Sequence, residues 1–226
     1  VWIDSYNEEA TGLKEQDTYQ TILEKQYKEK YSDVQIILSM CVQTVKTDED
    51  GDPERAKSRI VALGNQEDRI WSKSKKFAPV MRGESSRVMM SMAVQARQEE
   101  KQGDCKNAFC QSYLPKDEKI IVRPPRGCPL SKLGELWLLR KTLYGLRRSP
   151  YHWYQAIKKI LLSMGLTMSP HDPCIFHGSL QEGLPPIYIG LYVDDFKYFS
   201  LSDESEKLFE TQLCSKCCVN FIGEVS

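Results

Sequence analysis

The sequence predicts an α+β fold: an antiparallel sheet backed by helices, with an early β-hairpin as a separate lobe. Three observations lead there. Short β-branched and aromatic runs recur along the chain, and two long amphipathic helical segments interrupt them. Residues 187–200, IYIGLYVDDFKYFS, then read as strand, tight turn, strand.

The elements follow in order. Ile22, Leu23 and Tyr27 fall at helical spacing, which predicts a surface helix over residues 15–30. Residues 34–46, VQIILSMCVQTVK, are apolar and β-branched; the turn TDEDGDPER separates them from a second β run at 59–63, giving a hairpin with cations on its second strand. Ser85 and Ser86 offer an N-cap to a helix in which Val88, Met89, Met92, Ala93 and Ala96 form a core stripe, ending near Gly103. Short strands at 120–123 and 136–140 bracket a Pro- and Gly-rich loop. A second helical face runs from Tyr151 through Trp153, Tyr154, Ile157 and Leu161 to Met164 and stops at Gly165; core packing is the expected role of Trp153 and Tyr154. A strand at 174–177, the hairpin at 187–200 and a helix over 203–217 complete the reading.

Composition narrows the function classes. The 226 residues are 41% hydrophobic and 27% charged, the balance of a globular domain able to bury a core. No apolar run approaches the roughly 18 residues of a membrane span, so no membrane partner is expected. The opening VWIDSYNEEA has no initiator Met and no signal-peptide pattern, and reads as a cut inside a longer chain. Eight scattered cysteines without a repeating framework point to reduced, buried thiols in an intracellular protein; Cys214 and Cys217 have C-x-x-C spacing, but no second ligand pair follows to make a zinc site. Formal net charge is zero, yet basic residues crowd residues 55–87 and 140–159, and such stripes bind phosphate backbones whatever the total charge.

The chemistry gathers on acids. Asp194 and Asp195 occupy the turn of the last hairpin, and Asp104 follows the first long helix. An Asp-Asp pair in a turn is ordinarily structural, because Asp suits turn geometry. Joined by a third carboxylate it can bind two Mg²⁺ ions, one activating an attacking hydroxyl and one steadying a leaving pyrophosphate. Arginines on the early hairpin would then clamp a triphosphate through paired donors.

The ordered set RAKSRIVALG (55–64), KFAPV (76–80), DCKNAF (104–109), RPPRG (123–127), LYGLRRSPYHWY (143–154) and YVDD (192–195) resembles the reverse transcriptase of copia-type LTR retrotransposons. The likeness runs from about Val34 to the end of the chain. It implies a polymerase palm of ferredoxin-like type, an antiparallel sheet with helices on one face, interleaved with a β-rich fingers subdomain over residues 34–226. Residues 1–33 would be an N-terminal helical extension. Asp104, Asp194 and Asp195 match the family's catalytic acids and, with the backbone carbonyl of Cys105, would hold two Mg²⁺, with Mn²⁺ as a substitute. Lys57 and Arg59 would contact the incoming dNTP, Phe109 would exclude a 2′-hydroxyl, and Tyr144 and Gly145 would support the base and the template strand. Arg147 and Arg148 match positions facing template phosphates.

The resemblance further implies RNA-directed DNA polymerase activity on an RNA or DNA template with a primer. The partners it implies are the polyprotein's thumb, RNase H, integrase and protease, none of which the sequence contains. The family's setting is an intracellular virus-like particle in the cytoplasm, with the nucleus as a second compartment. The alternative is a truncated, inactive element remnant that at most binds nucleic acid.

Overall fold

The computed structural model describes residues 1–48 and 50–224. Glu49 of the expected turn, and Val225 and Ser226, lie outside the described residues. In chain order the elements are α1 (Trp2–Glu15), β1 (Tyr19–Leu23), α2 (Glu24–Lys30), β2 (Ile36–Thr47), β3 (Pro53–Ala62), α3 (Lys73–Lys76), α4 (Gly83–Gln95), β4 (Lys101–Cys105), β5 (Ile121–Arg123) and β6 (Glu135–Leu139). They continue with α5 (Ser149–Ser163), β7 (Thr167–Met168), β8 (Ile175–Gly178), β9 (Ile187–Tyr192), β10 (Asp195–Ser200), α6 (Asp203–Cys214) and β11 (Val219–Glu224). The chain divides into two compact units, one built from residues 1–76 and 109–152, the other from residues 77–108 and 153 onward. The chain is therefore α+β with interleaved units.

The first unit holds a five-stranded sheet in the order β1-β6-β5-β2-β3. Its pairs are antiparallel except β2 with β5. Leu13, Ile37, Ile60, Val122, Trp137 and Leu143 form its core. The expected hairpin is β2–β3, and its second strand begins earlier than the sequence suggests, at Pro53. The helix expected over residues 15–30 is corrected: its first half is strand β1, paired with β6 from Tyr19↔Leu139 to Leu23↔Glu135. Packing outweighed local spacing there, since Tyr19 stacks on the fully buried Trp137 with ring centroids 4.2 Å apart and Ile22 is buried. Residues 1–33 thus contribute a sheet strand as well as helices.

The second unit holds a six-stranded antiparallel sheet in the order β11-β4-β10-β9-β8-β7. Alternation along β10 sorts its two faces. Phe196 and Tyr198 meet Phe209 of α6, whereas Phe199 packs on Met89 and Ala93 of α4. Helices therefore cover both faces of this sheet, which corrects the expectation of helices on one face. The helix expected to end near Gly103 ends at Gln95. Arg97, with φ +56°, turns the chain back, and residues 101–105 become β4 between β11 and β10. Ser85 does not cap α4; its hydroxyl donates to Asp172 at 2.6 Å from inside the helix. Of the predicted stripe, Met89 and Ala93 are buried, while Val88 and Met92 are exposed.

The last two helices begin close to where the sequence implies, but α6 ends at Cys214, short of the expected residue 217. Gly165, at φ +86°, ends α5 in the left-handed conformation that a residue without a Cβ adopts freely. Ser202 caps α6 by accepting from the Glu204 amide, and Asp203, Glu204 and Glu206 lie in its positive first turn. All eight cysteines are free; Cys105, Cys110, Cys128, Cys174 and Cys217 are buried, whereas Cys214 and Cys218 are exposed.

Trp137 anchors the first unit, so Trp137→Ala is expected to cost about 3–5 kcal/mol. Urea denaturation followed by circular dichroism measures it; a loss under about 1 kcal/mol contradicts this account of the core.

Candidate active site

The acids of the second unit are placed by strand register. Asp195 opens β10 directly opposite Asp104 of β4, and on its other side it pairs with Tyr192 of β9. Directly paired residues share a face, so the Asp104 and Asp195 side chains lie on the same surface of the sheet. Asp194 is the second central residue of the two-residue turn, and its carbonyl accepts from the Cys105 amide at 2.8 Å. Val193, the first central residue, has φ +61°, a conformation costly for a β-branched side chain. Register and this bond thus make Asp104, Asp194, Asp195 and Cys105 backbone neighbours.

The surroundings fix this arrangement. A Cβ at position 103 would lie 2.5 Å from the Phe196 ring and 2.6 Å from the Asn220 carbonyl, so only glycine lets β4 seat between β10 and β11 beside Asp104. Phe196 also meets Phe209 and Phe221 edge-on beneath the acids. Lys197, two residues past Asp195, is committed elsewhere, donating to Glu100 at 2.9 Å and to the Ser86 carbonyl at 3.2 Å.

The acids act on one another electrostatically. Burial, then the charges of Asp194 and Asp104, push the Asp195 carboxyl above the ordinary Asp range. Among the described residues no three His, Cys, Asp or Glu side chains converge on one ion position. The donor chemistry nonetheless fits a hard divalent cation, since carboxylates and carbonyls are oxygen ligands. The Cys105 thiol is no competitor: a hydrogen bond with Cys217, then burial and the nearby acids, push it well up and keep it protonated.

The first unit assembles the other predicted residues. Lys57 and Arg59 lie on one face of β3, opposite Thr44 and Val42 of β2. The Arg59 guanidinium sits 5.0 Å from the centre of the Tyr144 ring, and Phe109 meets that ring edge-on at 5.0 Å. Phe109 is pinned through its carbonyl, which accepts from the Ser112 hydroxyl at 3.0 Å and from Thr142. Burial, then Arg59, Lys46 and Arg55, lower the Lys57 amine, a cation cluster that an anion would relieve. Gly145, at φ +87°, lies against the protein's own strand β3: a Cβ there would lie 2.0 Å from the Ala62 carbonyl.

These placements point to a family, and comparison with known proteins names it. Residues 25–226 match the family described as reverse transcriptase (RNA-dependent DNA polymerase). The chain belongs to this family. It is similar to the Retrovirus-related Pol polyprotein from transposon RE1 of Arabidopsis thaliana, 33% identical over 73% of this chain and 11% of the polyprotein. The corresponding polyprotein from transposon TNT 1-94 of Nicotiana tabacum is 31% identical over 69% of this chain and 12% of its own length. The Transposon Ty1-BL Gag-Pol polyprotein of Saccharomyces cerevisiae is 27% identical over 91% and 11%. These relatives support a copia-type reverse transcriptase, and the chain spans about a tenth of their length.

Two features of this reverse transcriptase chain escaped sequence reasoning. Arg148 does not face outward; it pairs with Glu118 and lies 4.1 Å from the centre of the Trp71 ring. Trp153, read as core packing, is buried, but its indole N–H donates to the Val193 carbonyl at 2.7 Å. No local spacing signals either contact.

The raised Asp195 carboxyl gives a signed pH prediction. Its folded pKa exceeds its unfolded one, so its contribution to stability is full below the unfolded value and is lost as pH rises through the folded value. Without added divalent cations, Asp195→Asn is expected to melt above the parent at pH 7, with the gap closing near pH ~3.5. A gap that widens on acidification, measured by differential scanning fluorimetry, contradicts the assignment.

Proposed function

We propose that the chain is the fingers and palm part of a copia-type RNA-directed DNA polymerase, transferring a nucleotide from a dNTP to a primer 3′-hydroxyl on an RNA or DNA template. The observation that carries this reading is the pairing of Asp195 with Asp104 across β10 and β4, with Asp194 at the adjoining turn. Like charges set directly opposite on a sheet are unfavourable, and an arrangement that keeps them is suited to gathering cations.

In this reading the second unit is the palm and the first the fingers. Asp104, Asp194, Asp195 and the Cys105 carbonyl would hold two Mg²⁺ ions, or Mn²⁺ in their place. When bound, these ions supply activation of the 3′-hydroxyl and neutralisation of the departing pyrophosphate. Lys57 and Arg59 receive the triphosphate, Arg59 offering paired donors held in place over Tyr144. Phe109, fixed by its carbonyl and by Tyr144, presents an aromatic wall to the sugar and excludes a 2′-hydroxyl. Tyr144 and Gly145 support the nascent base pair and the template strand. Phosphoryl transfer asks little more of a protein than such positioning and charge neutralisation. The thumb, RNase H, integrase and protease of the polyprotein are the expected partners, within an intracellular virus-like particle.

Primer extension on an RNA template with Mg²⁺ tests the reading, in the chain joined to a thumb. The parent is expected to incorporate dNTPs and Asp194→Asn to fall to background. Equal extension by the two sinks the assignment. Salt-sensitive binding to primer-template with no incorporation by the parent identifies a remnant that only binds nucleic acid. Phe109→Ala is expected to raise ribonucleotide incorporation relative to dNTP by about 10-fold or more. Unchanged sugar discrimination in that variant, read by gel assay with rNTP and dNTP in competition, refutes the gate.

A further inference from the structure

We propose that Trp153 is a positioning residue for Asp194, acting through the carbonyl of Val193. The inference rests on the reading of Asp194 and Asp195 as the polymerase acids, and it adds a residue outside the YVDD turn that governs their presentation.

The geometry begins at the turn. Val193 and Asp194 are its two central residues, and of the two only Val193 has positive φ, at +61°. Positive φ at the first position alone is the type II′ pattern, which ordinarily takes Gly there. Types II′ and I′ differ by rotation of the central peptide, whose carbonyl belongs to Val193. That rotation would carry Asp194 from negative to positive φ and redirect its side chain. Whatever grips the Val193 carbonyl therefore selects the direction of the Asp194 carboxylate.

Trp153 grips it. Its indole Nε1 lies 2.7 Å from that carbonyl, and the ring is only 2% exposed in α5. Indole is a donor only and needs a partner when buried; here the partner is the one peptide whose orientation sets the acid. The next carbonyl, that of Asp194, is held by the Cys105 amide at 2.8 Å. The turn is thus held from α5 on one side of Asp194 and from β4 on the other. Local preference does not maintain it, because a β-branched residue occupies the strained position.

Trp153→Phe keeps an aromatic ring in the core and deletes the donor. In the thumb-joined chain, it is expected to weaken binding of Mn²⁺ alone, followed by electron paramagnetic resonance, by about 10-fold, and to lower kcat about as much while KM for dNTP stays within about 2-fold. Val193→Gly removes the strain, so Trp153→Phe combined with Val193→Gly is expected to recover most of both losses. Unchanged Mn²⁺ affinity in Trp153→Phe, or an equal loss in the double variant, overturns the proposal; a lowered melting temperature with unchanged Mn²⁺ affinity reduces Trp153 to packing. Should Trp153→Phe not fold, the parent answers alone. Its Trp153 indole N–H, observed by ¹⁵N NMR, is expected to exchange slowly and to shift on Mg²⁺ addition; exchange at the solvent rate, or no shift in a protein that binds Mg²⁺, overturns the proposal. The polymerase reading fails separately, if Asp194→Asn leaves Mn²⁺ binding and primer extension as in the parent.

Discussion

The second unit depends on an unfavourable contact that its packing holds in place, the carboxylates of Asp104 and Asp195 set directly across neighbouring strands. Like charges opposite one another destabilise a sheet, and here burial adds to the effect at Asp195. The opposing terms lie just beneath. Phe196, next to Asp195, meets Phe209 and Phe221 and fits over Gly103, which precedes Asp104. Each acid is thus followed or preceded by a residue whose packing on the opposite face fixes the strand. Apolar burial on one face stabilises a register that electrostatics on the other would relax.

The first unit positions its cations by a related device. Strand β3 and the loop after β6 approach too closely for side chains: Gly145 lies against the Ala62 carbonyl, and a Cβ on Gly64 would lie 2.2 Å from the Gly145 carbonyl. The Ala62 amide donates to the Tyr144 carbonyl at 2.8 Å, so the contact is a backbone bond rather than mere proximity. That contact sets Tyr144 under Arg59 and edge-on to Phe109. Three residues distant in sequence are aligned because two glycines let main chains meet.

What the sequence revealed depended on range. The hairpin of β9 and β10 was readable because period-2 alternation and a two-residue turn are local signals. Asp104 carried no local signal of its own; its place beside Asp195 follows from strand order, β4 lying next to β10. Residues 15–30 were misread because Ile22 and Leu23 fit a helix as well as an edge strand, and only Trp137 on β6 decides between them. The first long helix was overextended because nothing in residues 96–103 breaks a helix strongly, whereas the demand for a strand between β10 and β11 ends it. Helical spacing places Trp153 in the core, where it is buried, but the direction of its N–H belongs to the tertiary structure.

The basic stripes show why charge along a sequence overstates charge on a surface. Arg140 pairs with Asp17, and Arg148 pairs with Glu118, whose carboxylate also lies 3.2 Å from His152 Nε2. Burial disfavours the Glu118 carboxylate, yet His152 and Arg148 outweigh it and hold the group below its usual range, so this arginine is neutralised within the fold. Lys46, Arg55, Lys57 and Arg59 differ: they share one face of the β2–β3 hairpin, and among the described residues no ion pair engages them. Their mutual repulsion, which lowers the Lys57 amine after burial has done so, is the counterpart of the repulsion among the acids. Among the described residues, a chain of zero net charge therefore keeps one face of cations outside any ion pair in the first unit and one pair of directly opposed acids in the second.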